Sequence, residues 1–224
     1  MRTVVSVATD HFVAHQDRLR EGLEGMAGSG VLHFYRGFLP PSSPTHEACP
    51  WGFKVYALLE TCGDAMLWCD SSIVPLRPLT RLWDLIEAQG YWFSENLPPG
   101  EYGAPYNCGQ FTCDSALPLL GITREEAFGI PQVIATAFGL DMRHQIARDF
   151  LAEWKRLAEN GSFRGPQNNV YGEASPDPRV VGHRHDQTAA SVIAYRLGMR
   201  LSRPPDWIVD KHEPTPNSIL SIQR

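Results

Sequence analysis

At 224 residues the chain has the length of one domain, since a single core rarely grows past about 250–300 residues. Hydrophobic residues at 43% and charged residues at 20% are an ordinary globular mix, so the core needs neither metal nor disulfide to hold it. A net charge of -5 removes any general electrostatic reason to bind polyanions, and no apolar run reaches the roughly 18 residues of a membrane helix.

The N-terminus MRTVVSVATD has too short an apolar run for a signal peptide, so the expected location is cytoplasmic. TVVSVATD reads as a buried parallel strand that meets a loop at Thr9 and Asp10. His11 to Met26 follows at mostly helical spacing, stopped by Gly28–Ser29–Gly30. VLHFYRG is the second strand, and LPPSSPTHEACP is a loop because proline donates no ladder hydrogen bond. PWGFKVYALLETCG is a helix with Pro50 early and Gly63 late, leading into the strand AMLWCD.

PLTRLWDLIEAQG repeats the device with Leu79, Leu82, Leu85 and Ile86 on one face, and YWFSEN is another short strand. This alternation predicts an α/β fold around a mostly parallel sheet in a single domain spanning 1–224. From Leu97 to Met142 the chain is rich in Gly and Pro, with YNCGQFTCD read as a strand and TREEAFG as a short helix. RHQIARDFLAEWKRLAENG is the clearest amphipathic helix, burying Ile146, Phe150, Trp154 and Leu157. Residues 162–182 form a loop without periodicity, and loops of that length are functional or mobile. HRHDQTAASVIAYRLG then forms a helix with Asp186 available as N-cap and Ala190, Ile193, Ala194 and Leu197 as its buried stripe. DWIVD is a last strand, followed by a proline-broken tail.

Cys49, Cys62, Cys69, Cys108 and Cys113 are odd in number and form no CxxC pair, which points to reduced, mostly buried thiols.

Polar clusters fall at strand ends or helix starts: Thr9 and Asp10, Asp70 to Ser72, Asn107, and His183 to Gln187. In an open α/β sheet the carboxyl ends of the strands line one crevice, so these clusters are candidates for one site. Asp70 and Ser72, on the same side of an extended chain, offer a carboxylate and a hydroxyl to a hard cation bridging a diphosphate; the alternative is that Asp70 caps a turn. HRHDQ allows three readings: a zinc or iron site of His183, His185 and Asp186, a helix start with solvated histidines, or a rigid pair, Asp186 and Gln187, for substrate hydroxyls.

Together these segments resemble a GT-A glycosyltransferase, closest in motif to glycosyltransferase family 8, the glycogenin and lipopolysaccharide galactosyltransferase group. VVSVATDHF resembles that family's first strand, FKVYALLETCGDAMLWCDSSIVPL its helix and DxD strand, YNCGQFTCD its YFNxGVLL segment, and HDQTAASVI its DQ helix. The match runs in order from residue 3 to about 200. It implies transfer of a sugar from a nucleotide-diphosphate sugar to an acceptor nucleophile. Thr9 and Asp10 would hold the base, Lys54 the phosphates, with Ser71 beside them on the nucleotide. Asp70 and Ser72 would hold a divalent metal, Mn2+ or Mg2+, and Asn107, Asp186 and Gln187 the transferred sugar, with Asp186 and Gln187 as catalytic residues. Two departures stand out. The second Asp of DxD is Ser72, and the family's HxxGxxKPW-like segment is absent, leaving His212 in IVDKHEPTP as the metal ligand by position.

The family is retaining, whereas Asp186 as a general base would serve an inverting enzyme. Two other functions compete: a nucleotide-sugar-binding GT-A module without catalysis, and a metal hydrolase using His183, His185 and Asp186. The 162–182 loop with Tyr91, Trp92, Tyr102 and Tyr106 is a candidate acceptor groove; a glycan, a small metabolite and a nucleobase all remain open as acceptor.

Overall fold

The computed structural model describes residues 1–28, 30–98, 105–210 and 213–223. In chain order its elements are β1 (Arg2–Ala8), α1 (Phe12–Leu23), β2 (Val31–Arg36), α2 (Phe53–Glu60), β3 (Ala65–Cys69) and β4 (Ile73–Pro75). α3 (Thr80–Gln89), β5 (Tyr91–Trp92), α4 (Leu117–Leu120), α5 (Arg124–Phe128) and β6 (Ala137–Asp141) follow. The chain closes with α6 (Gln145–Glu159), α7 (His185–Arg196), β7 (Trp207–Val209) and β8 (Ser218–Ile222).

The main sheet has the order β2-β1-β3-β6-β5. β1 pairs in parallel with β2 and β3, while β6 runs antiparallel to both β3 and β5, so only β6 is reversed and the sheet is mostly parallel. At the central strands β1, β3 and β6 both faces are covered, which is why they read as largely apolar runs instead of alternating ones. Val5, Val7, Met66, Trp68, Phe138 and Leu140 point to one side, against α2, α6 and α7. Val4, Ala65, Leu67, Cys69 and Ala137 point to the other, against α1 and α3. On that side Gly139 lets α3 approach closely: a Cβ there would lie 2.3 Å from Ile86 Cδ1. Four of the five cysteines are buried and Cys62 is exposed.

A second sheet, β4-β8-β7, joins the segment after β3 to the end of the chain. β8 pairs antiparallel with β4 and parallel with β7, so the expected proline-broken tail is instead a buried strand. YNCGQFTCD is also not a strand. Apart from one bridge between Asn107 and Pro131 it turns on itself, because Asn107 Oδ1 accepts from Gln110 N (3.0 Å) and Asn107 N donates to Gln110 Oε1 (3.2 Å). The strand that does cross the sheet from this Gly- and Pro-rich region is β6. α7 carries no single stripe either: residues 185–194 are buried apart from half-buried Gln187, since α6 and the loops pack around the helix.

Within the 162–182 loop the Asn169 side chain ties the segment up to Val180 together. Asn169 Oδ1 accepts from Ala174 N and Ser175 N, and Nδ2 donates to the carbonyls of Ser175 and Val180. Among the described residues no helix is long and apolar enough to cross a membrane.

Candidate active site

The carboxyl end of β3 and the start of reversed β6 share one edge of the main sheet, fixed by Cys69 opposite Ala137 and by Asp70 N donating to Thr136 O at 2.8 Å. A cavity of about 770 Å³ opens at that edge. Lys54, Asp70, Ser72, Asp186 and Gln187 all line it, so three separate segments of the chain are brought together there.

Lys54 is the centre of the cluster. It sits in the first turn of α2 on the buried face with Val55 and Leu58, and its ammonium reaches past Trp68, 5.6 Å from the indole centroid. Nζ donates to Ala135 O at 2.9 Å and pairs with Asp70 Oδ1 at 3.2 Å and Asp186 Oδ2 at 3.0 Å. The contact with Asp186 is not aligned as a hydrogen bond, so charge holds that pair. Burial opposes the charge on Lys54, but Asp186 and Asp70 outweigh it and the ammonium is held above its ordinary pKa.

Asp70 is anchored by Trp68 Nε1, which donates to Oδ1 at 2.7 Å. Asp186 is buried in the first turn of α7 instead of capping it; Arg184 stands at the N-cap position, and Trp154 Nε1 donates to Asp186 O at 3.1 Å. Burial raises the Asp186 carboxyl to about 6; Lys54 works against that rise and Asp70 adds to it.

The two histidines of HRHDQ do not form a metal pair with Asp186. His183 Nδ1 accepts from Cys113 N (3.5 Å), so its Nε2 carries the proton and donates to Ser162 O (2.9 Å). Burial, with His185 adding, lowers it to about 4, so it is neutral. His185 Nδ1 bonds Phe163 O at 2.7 Å, and its ring stacks on Trp51 at 4.7 Å between centroids. Trp51 and His185 both have left-handed backbones (φ 57 and 43) on one wall of the cavity, a strain that surrounding packing must hold.

Thr9, Asp10, Ser71 and Asn107 do not line the cavity. Phe12 and His15, just after Thr9 and Asp10, do, whereas Asn107 spends its side chain on Gln110 and Ser71 is buried. Tyr91 and Trp92 belong to the core, Tyr106 lines the cavity, and Tyr102 and His212 lie outside the described residues. Gln167 and Asn168 bring the 162–182 loop to the wall. Sequence reading missed Trp51, Asn96, Ala135 and Asp210, and the only available signal was the Asn that ends YWFSEN.

The resemblance implies a divalent cation at Asp70 and Ser72. The donors facing the cavity there are hard oxygens, from Asp70, Ser72 and Asp210. Among the described residues no three His, Cys, Asp or Glu side chains converge on a point. Mg2+ is commonly held by one or two carboxylates plus substrate phosphates, so these residues fit a cation that arrives with a diphosphate better than one caged by protein alone.

No family model and no curated protein matches the sequence. Solved structures do. A glycosyltransferase involved in glycosylation of the major capsid of PBCV-1 aligns at 12% identity with a TM-score of 0.53, over 99% of this chain and 93% of that one. The galactosyltransferase LgtC, in complex with donor and acceptor sugar analogs, aligns at 13% identity and TM-score 0.46 over 99% and 86% of the two chains. The glycosyltransferase GlyE of Streptococcus pneumoniae aligns at 11% and 0.47 over 92% and 45%. The first of these likenesses carries the fold: the chain is built as a GT-A glycosyltransferase is.

Proposed function

We propose that this GT-A chain transfers a sugar from a nucleotide-diphosphate sugar to an acceptor nucleophile. The observation that carries the reading is Lys54, buried and ion-paired between Asp70 and Asp186 on the wall of the cavity at the sheet edge. Breaking the glycosidic bond leaves negative charge on a nucleoside diphosphate, and a fixed ammonium in a water-poor wall stabilises that charge more than water would. With both carboxylates ionised the three groups sum to one negative charge, so a diphosphate needs a further cation. Asp70 and Ser72 would hold Mn2+ or Mg2+, which would supply that charge against the diphosphate oxygens.

Phe12 and His15 line the cavity just after Thr9 and Asp10, so in this reading the nucleotide would reach Thr9 and Asp10 only beyond the cavity wall, while Ser71 and Asn107 would act on it from behind that wall. Asp186 and Gln187 face the reacting sugar. A carboxyl of pKa about 6 is ionised at neutral pH and accepts a hydrogen bond, or a proton, from a hydroxyl. The 162–182 loop, through Gln167 and Asn168, borders the acceptor side.

The test is a thermal-shift panel of UDP-glucose, UDP-galactose, UDP-N-acetylglucosamine, GDP-mannose, ADP-glucose and dTDP-glucose, with and without Mn2+. A donor at 100 times its dissociation constant adds about 2.7 kcal/mol of stability. The donor so found should release diphosphate when sugar acceptors are added. Ser72 at the second DxD position favours a binding module as the other reading, for which the panel shows a shift but no acceptor ever yields turnover. A panel without any shift rejects both.

A further inference from the structure

We infer that Gln132, fully buried behind the cavity wall, is a positioning residue that sets which end of two cavity amides, Asn96 and Gln187, meets the donor sugar. The inference rests on the donor-sugar reading above.

Gln132 is fixed first by backbone. Asn96 N donates to Gln132 O (2.8 Å), Gln132 N to Tyr106 O (2.7 Å), and Tyr106 N to Asn96 O (2.9 Å), a closed ring of three bonds among three separate segments. The side chain then reaches both amides. Its Oε1 accepts from Gln187 Nε2 at 2.9 Å and from Asn96 Nδ2 at 3.1 Å. An amide whose NH2 is turned to the wall has its carbonyl oxygen on the opposite branch. Asn96 and Gln187 therefore both present acceptors, and acceptors pair with hydroxyl O–H groups while repelling phosphate oxygens.

The polarity of the cavity follows. Lys54 draws the diphosphate, and the Asn96–Gln187 side takes the hydroxyl-bearing ring. The arrangement has a cost: Gln132 Nε2 is buried without a hydrogen-bond partner. Turning the Gln132 amide over would set NH2 against NH2 unless both neighbours turned with it. The three amides thus keep or change their direction as a unit, and a packing role alone gives no return for the unpartnered NH2.

Two variants of the full chain test this by calorimetric titration with the nucleotide sugars of the panel and with free UDP, GDP, ADP and dTDP. The readout is the gain in affinity of each sugar nucleotide over its own free diphosphate. Gln132→Met keeps the length and removes the acceptor; it should leave diphosphate affinity within about twofold and reduce the sugar's gain about tenfold, the size of one hydrogen bond to each of two oriented groups. Gln132→Glu, which as a carboxylate only accepts, should hold both NH2 groups in the same direction and retain the gain. An undiminished gain in Gln132→Met, or a lost gain in Gln132→Glu with diphosphate binding intact, overturns the inference. A parallel weakening of diphosphate and sugar nucleotide also overturns it, since that is what a merely structural role would give. Gln132→Glu decides the matter alone if Gln132→Met does not fold. If no sugar nucleotide outbinds its diphosphate in the unmodified protein, the donor reading fails and this inference with it; a gain that ignores Gln132 leaves the donor reading standing.

Discussion

The end of β3 and the first turn of α7 each give one carboxylate to Lys54, from opposite environments. The Asp70 side chain is 29% exposed and faces the cavity; that of Asp186 is 7% exposed and stands on a helix buried on nearly every side. Asp70 has water and Trp68 Nε1 besides the lysine, so it can exchange a partner for a ligand at small cost. Asp186 has no such freedom, because removing a buried charge's counter-ion leaves a desolvated charge behind. One lysine therefore couples a ligand-facing group to a fixed one, and substitutions should separate the two.

The largest effect is expected from Lys54→Met, which keeps the side chain's length and deletes its charge. Asp70 stays hydrated, but Asp186 is left buried beside another carboxylate, for about 3–5 kcal/mol of lost stability by urea unfolding at pH 7. Transfer should fall by about 10²–10³ from loss of the charge facing the leaving group. A stability loss of less than about 1 kcal/mol would mean that the two carboxylates do not differ as their burial implies.

These environments were only half legible in the sequence. The polar end of AMLWCD stands out because it breaks an apolar run, and the helix start at HRHDQ stands out because helical periodicity begins there after a long aperiodic loop. That they share one crevice followed from the open sheet, and the resemblance added Lys54 as a phosphate contact; neither announced that both carboxylates pair with that lysine. The bonds of Lys54 to Ala135 O and Gln132 to both amides depend on β6 running backwards beside β3, and AFGLD carries neither length nor alternation enough to announce a central strand. β8 was hidden for the same reason, being five residues after a run of prolines that only long-range pairing with β4 and β7 makes a strand. YNCGQFTCD misled in the opposite sense. Cys108, Phe111 and Cys113 are buried, but reciprocal Asn107–Gln110 bonding satisfies the backbone locally and removes the need for a ladder.

A smaller effect separates the carboxylates by pH. The Asp186 carboxyl titrates near 6 in the folded protein against about 3.8 ordinarily, chiefly through burial, so between those values the native state holds a proton that the unfolded chain has released. The associated stability is complete below pH 3.8 and is lost as pH rises through about 6, a loss of about 3 kcal/mol at 1.36 kcal/mol per unit. Asp186→Asn should remove that slope, so the stability of the unmodified protein relative to the variant should fall over this window and then level off. Transfer by the unmodified protein should rise through the same window as Asp186 ionises. An unaltered pH slope in Asp186→Asn would assign the titration to another group.

The smallest effect is expected at the ligand-facing end. Ser72→Asp restores a second carboxylate at the cavity without touching the bond from Gln223 N to Ser72 O, which is made by backbone. At a half-exposed position on a cavity wall the change should alter stability by no more than about 0.5 kcal/mol in the absence of metal. An added oxygen ligand beside Asp70 should raise Mn2+ affinity in the presence of a nucleoside diphosphate by about tenfold, equivalent to about 1.4 kcal/mol. Calorimetric titration of Mn2+ into the UDP- or GDP-loaded variant reads this directly. A gain in metal affinity at unchanged melting temperature would show that the β3 end adjusts to ligand while the α7 end holds the scaffold. A lower melting temperature with no gain in metal affinity would place Ser72 among the structural residues and leave the positive charge at this edge to side chains such as Lys54.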